Sequence, residues 1–163
     1  MEWVDPVYCS GHWVPEMVAL AGGRDDLGRA KADSIRISWQ NVVQWAPEIL
    51  IIMPCGMDAD EAAAQARQLF TYPGWSDVPA VRRNCVYTVD ANSYFARPGP
   101  RVVDGVELLA HLLHPDIFEW KGPSSAFQKL TFPRFSDRVS TAAAAAPLRS
   151  DRSTAPMRHT ADR

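Results

Sequence analysis

No apolar run in this 163-residue chain approaches the roughly 18 residues that a membrane-crossing helix needs. The longest candidate, "ILIIM" at positions 49–53, has the length of a strand. Charge of one sign is missing too. Seventeen Lys and Arg face nineteen Asp and Glu, a net charge of −2, which leaves neither a basic nucleic-acid footprint nor an acidic tail. Cysteine is scarce: Cys9, Cys55 and Cys85 are odd in number, so at least one is unpaired, and their spacing matches no metal motif. The four histidines add no Cys/His cluster; His111 and His114 share a helix, where a surface or core pair is the expected role, and no structural metal is expected. The first residues lack a basic start followed by an apolar stretch, so no export signal is visible, and on that count a cytoplasmic chain is expected.

What is present is one ordinary core. An apolar share of 47% and a charged share of 22% are those of a globular protein, and the length suits a single domain. Extended and helical patterns alternate. Trp13, Met17 and Leu20 recur at helical spacing before a Gly22-Gly23 stop. Ser38 is placed to cap a short helix through Trp45. "EILIIMP" reads as a strand buried on both faces. Asp58 and Glu61 form a capping box for a helix to about Phe70, and "NCVYTVD" reads as a second buried strand. Val103, Val106, Leu109 and Leu113 mark the apolar stripe of a further helix that Pro100 can enter. Alternation of this kind predicts an α/β fold: a three-layer Rossmann-like lobe with a mostly parallel sheet flanked by helices.

In such sheets ligands sit beyond the C-terminal strand ends. Three clusters fall at those ends: Tyr8-Cys9-Ser10-Gly11, Pro54-Cys55-Gly56, and Asn92 to Arg97 within "NSYFARPGPRVVDGVELL". Arg97 offers a fixed fork of donors to amide or phosphate oxygens, or else simply caps a surface loop. Tyr8 presents a flat face with one hydroxyl, or is a strand-end core aromatic. Alternation along an extended segment puts Tyr94 outward and Phe95 inward. Trp13, Trp39 and Trp45 read as helix-packing residues. Cys55 is a nucleophile only with a base nearby, for which His12 is the sole candidate; its other readings are a ligand contact or a small residue in a tight turn. Asp104, in the first turn of a helix, is explained by the helix dipole.

"EWVDPVYCSGHWVPEMVALAGG", "ILIIMPCGM" and "VYTVDANSYFARPGPRVVDGVELLAHLLHP" together resemble the cobalamin-binding solute-binding proteins of vitamin B12-type ABC transporters, over residues 2–116. The resemblance implies a clamshell of two α/β lobes joined by a long helix, of which this chain is similar to the C-terminal lobe alone. It implies a non-catalytic role in ligand capture with no cofactor, the ligand being a corrinoid. The site residues it implies are Tyr8, Cys55, Gly56, Ser93, Tyr94 and Arg97. The partners it implies are a transporter permease and a missing N-terminal lobe, with no nucleic acid and no membrane span. The family's placement is extracytoplasmic. Docking in the family uses an acidic side chain early in the helix that Ser38 opens; Gln40 stands there instead. Haem or siderophore-type chelates on the same fold, a thiol-dependent enzyme using Cys55, and a lobe that pairs with another subunit are the alternative readings.

The expected boundaries are a lobe over residues 1–118, a packed extension over 119–135, and a tail over 136–163. The tail is Ala, Pro, Ser, Thr and Arg with almost no large apolar side chains. That composition cannot offset its ordering entropy and predicts disorder.

Overall fold

The computed structural model describes residues 1–132, and the expected tail lies outside them. Three short strands form the sheet: β1 (Leu50–Ile52), β2 (Val86–Val89) and β3 (Phe127–Lys129), in the order β1-β2-β3. β1 pairs with β2 in parallel, Leu50 opposite Val86, and β3 runs antiparallel to β2, Val89 opposite Phe127. The sheet is therefore mixed rather than mostly parallel, because "FQK" returns along the far edge of β2. Beyond the other edge, the Met1 amino group donates to Ile51 O, and the Met53 N–H donates to Met1 O.

Period-two alternation sends side chains to two cores. Leu50, Ile52 and Val86 enter a cluster with Val4, Val7, Leu69, Trp75 and Val78. Tyr87 and Val89 enter the opposite one with Met17, Phe95, Leu108 and Leu109. Burial on both faces makes this a three-layer α/β lobe. Thr88, fully buried within β2, donates its hydroxyl to Ala59 O and so satisfies the one polar side chain of the strand.

Among the described residues, six α-helices surround the sheet: α1 (Val14–Leu20), α2 (Trp39–Trp45), α3 (Ala59–Ala66), α4 (Pro79–Arg82), α5 (Ala91–Tyr94) and α6 (Val102–Leu113). Their starts follow local chemistry. The Ser38 hydroxyl accepts from the Asn41 N–H at α2. Asp58 accepts from the N–H groups of Asp60 and Glu61 at α3, and Glu61 reaches back to the Asp58 N–H. α3 ends at Ala66, and residues Arg67–Thr71 continue as a tighter 3₁₀ turn, so the helical stretch reaches the neighbourhood of Phe70 in two geometries.

Two expected helix faces were rotated. On α1 the buried positions are Val14, Pro15 and Met17, whereas Leu20 is 77% exposed. On α6 the buried face is Gly105, Leu108, Leu109 and Leu112, at i, i+3, i+4 and i+7, with Val103 64% exposed. Gly105 is the reason. A Cβ there would stand 2.7 Å from Met17 Cε and 2.8 Å from Tyr94 O, so the helix seats its glycine where it presses closest. α6 also begins two residues after Pro100, which instead accepts from the Val103 N–H in the preceding turn.

The segment around Tyr8 is not a strand of the sheet, contrary to expectation. Tyr8 forms isolated bridges with Trp3 and with Arg36, and Cys9 and Ile37 extend this small ladder by donating to Ile35 O and Val7 O.

Candidate ligand-binding site

A groove of about 550 Å³ opens where the three loops singled out from the sequence come together. Tyr8 and Gly11 line it from the first loop, Cys55 from the second, and Ala91, Phe95 and Ala96 from the third. The volume lies within the range of small-molecule sites. Its walls are mainly apolar, with the aromatic side chains of Trp3, Tyr8, Trp13 and Phe95 contributing.

Each loop is held by its own bonds. The first crosses the segment before α2 at Gly11, where a Cβ would overlap the Ser34 backbone nitrogen; only glycine fits. The Gly11 N–H donates to Glu2 Oε1 at 2.8 Å, and Ser10 in turn bonds Asp25, whose carboxylate also takes the Gly28 N–H. His12 follows in the left-handed region, φ 54°, which aims its ring at the groove rim. In the second loop Gly56 adopts φ 80° with open space around it, so the turn itself, rather than a neighbour, requires glycine. Cys55 beside it is exposed and free. The third loop starts with Asp90, which accepts from the Ser93 N–H, and is tied to the first by the Trp13 indole, which donates to Phe95 O at 3.0 Å.

Of the residues named from the sequence, Tyr8 and Cys55 line the groove and Gly56 shapes the adjoining turn. Ser93 is half-buried, with its N–H engaged by Asp90. Arg97 is exposed, one residue beyond Ala96 at the groove's end. Tyr94 is a correction: it was expected to face outward, yet it is buried in the core beside Trp120, ring centroids 5.8 Å apart. The expectation assumed an extended segment. Residues Ala91–Tyr94 are instead a helical turn, so both Tyr94 and Phe95 turn inward, and it is Phe95 that borders the groove. Burial raises the Tyr94 phenol above its ordinary pKa, with the Asp90 and Asp104 carboxylates adding to the shift and Arg101 opposing it.

Trp13, read from the sequence as a packing residue, does both jobs: it packs on the core and lines the groove. Glu2, Trp3, Ser34 and Met53 were not singled out at all. Nothing in their local pattern marks them, since the fold alone brings residues 2, 34 and 53 to one wall. His12 and Cys55 line the same groove, but the ionic partner of His12 is Asp33 at 3.8 Å, and no hydrogen bond joins the imidazole to the thiol. Among the described residues no group of three His, Cys, Asp or Glu side chains is placed to hold a metal ion, and no helix is long and apolar enough to cross a membrane.

Residues 5–93 match the family model described as periplasmic binding protein. Over 77 residues the chain is 32% identical to the uncharacterized ABC transporter substrate-binding lipoprotein YvrC of Bacillus subtilis (strain 168), a stretch that is 47% of this chain and 24% of the relative. Its fold is similar to the crystal structure of the TroA-like periplasmic binding protein FepB from Veillonella parvula, with a TM-score of 0.53 at 20% identity, over 74% of this chain and 42% of that one. The chain thus spans less than half the length of either protein.

Proposed function

This chain belongs to the periplasmic binding protein family, and from that premise we propose that it is a solute-capturing lobe of an ABC-transporter substrate-binding protein, with a corrinoid as ligand. One observation carries the reading. Three loops far apart in sequence present aromatic faces and few free polar groups to a single open groove. That surface suits a broad, flat ligand held largely by contact area, as Tyr and Trp faces supply it. The role is binding, not catalysis.

In this reading Tyr8 stacks on the ligand, Cys55 and Gly56 form the lip against it, and Arg97 and Ser93 reach its amide or phosphate fringe from the third loop. Tyr94 acts from behind, by holding that loop in place. A second lobe closes over the groove, and a transporter permease receives the ligand; Gln40, exposed on α2, stands where the family carries its docking acid, so docking here does not use that acid. A lobe alone offers one wall only, and every tenfold loss of affinity is about 1.4 kcal/mol. Binding by this chain is therefore weak. Haem and siderophore chelates are the variants on the same surface.

Titration with cyanocobalamin, followed by heat and by visible absorption, tests the proposal. Saturable one-to-one binding that weakens in both Tyr8→Ala and Arg97→Ala supports it. Binding that neither substitution alters would sink the assignment of this groove.

A further inference from the structure

We propose that the groove discriminates by ligand charge, accepting neutral or cationic chelates and rejecting anionic ones. The inference rests on the reading of this groove as the ligand site and narrows its substrate class.

Proteins hold anions with Lys or Arg side chains, with unengaged N–H groups, or with helix N-termini. Among the described residues, the wall is poor in all three. None of the residues lining the groove is Lys or Arg, while Glu2 contributes a carboxylate. Arg97 stands exposed beyond the end of the wall, where it meets only the ligand's rim, and Arg36 lines a different pocket. His12, the remaining basic group of the wall, faces Asp33.

The donors are equally committed. The Trp13 indole N–H is taken by Phe95 O at 3.0 Å and that of Trp3 by Asp5 O at 3.2 Å, so neither indole donor is free for a ligand. The Gly11 N–H is taken by Glu2. The turn that opens the third loop has its Ser93 N–H satisfied by Asp90, and the helix that follows the Cys55 loop is capped by Asp58. On this wall an anion gains only neutral donors, such as the Tyr8 and Ser34 hydroxyls, and meets the Glu2 carboxylate, which is unfavourable. A cation or a neutral macrocycle meets ring faces that attract it.

The test is equilibrium titration of the whole chain, read by tryptophan fluorescence, with three probes. They are cyanocobalamin, which carries no net charge; ferrioxamine B, a cation; and a ferric tris-catecholate, a trianion. The neutral or the cationic probe is expected to bind at least roughly tenfold more tightly than the trianion, a gap of about 1.4 kcal/mol. Glu2→Gln, which keeps an oxygen for the Gly11 N–H, is expected to narrow that gap by improving the trianion. A trianion that binds as tightly as the others, or more tightly, overturns the charge rule while ligand capture stands. If no probe saturates at millimolar concentration, ligand capture itself fails and the charge rule falls with it.

Discussion

The indole of Trp13 and the backbone of Phe95, 82 residues apart in sequence, are joined by one hydrogen bond of 3.0 Å. That bond fastens the start of α1 to the end of α5 and fixes the angle between two walls of the groove. Trp13→Phe keeps most of the apolar contact but leaves Phe95 O without its donor. The expected loss is about 1–2 kcal/mol of stability, together with weaker ligand binding. Denaturant unfolding and a parallel titration measure the two. A variant equal to the parent in both would show that the bond holds nothing.

The rotated face of α6 predicts a contrast between two substitutions on one helix. Leu109 is fully buried and Val103 is 64% exposed. Leu109→Ala should cost about 2–5 kcal/mol and Val103→Ala less than about 0.5 kcal/mol. The difference in urea midpoints checks both at once.

Asp58 satisfies two N–H groups at the start of α3 and receives the Glu61 carboxylate on its own N–H. Asp58→Ala should lower stability by about 1 kcal/mol, seen as a drop of a few degrees in the thermal midpoint by circular dichroism. Since α3 touches β2 through Thr88 and Ala59 rather than the groove, affinity for a neutral ligand should change little.

Tyr94 gives a pH dependence with a definite sign. Its folded pKa lies above the ordinary phenol value of 10.0 because burial disfavours the phenolate. The stability this provides is complete below the unfolded value and disappears as pH rises through the higher folded one. The protein should therefore lose stability in alkali beyond about pH 10, and Tyr94→Phe should shrink that loss. Urea midpoints at neutral and strongly alkaline pH, compared between the two proteins, report it. An identical alkaline loss in both would assign it to other groups.

Strands and caps were legible in the sequence because they depend on neighbours in the chain. "ILIIM" and "VYTV" declare buried strands, and Ser38, Asp58 and Glu61 mark helix starts within three residues. The meeting of the Cys55 loop with the loop after β2 followed from topology, whereas the Tyr8 loop reaches the groove without being a strand of the sheet. Side-chain facing was less legible. A hydrophobicity stripe treats Gly105 as neutral, whereas the packing makes it the centre of the α6 contact face. Alternation misplaced Tyr94 because a four-residue helical turn replaced the extended segment it assumed. Strand β3, lying after Pro123, carries only three residues of pattern, too few to register. Glu2, Trp3 and Ser34 reach the groove through long-range contacts, which no local window contains.

The wall of the groove draws on residues from Glu2 to Ala96, so no shorter stretch of the chain holds the site. Recognition and folding are consequently one equilibrium for this lobe. Under the proposed reading, a ligand that seats itself in the groove binds the folded form, and raises the melting temperature with the logarithm of its concentration. Heat resistance thus becomes a readout of occupancy, and a library of chelates can be ranked by melting alone, without a label on either molecule.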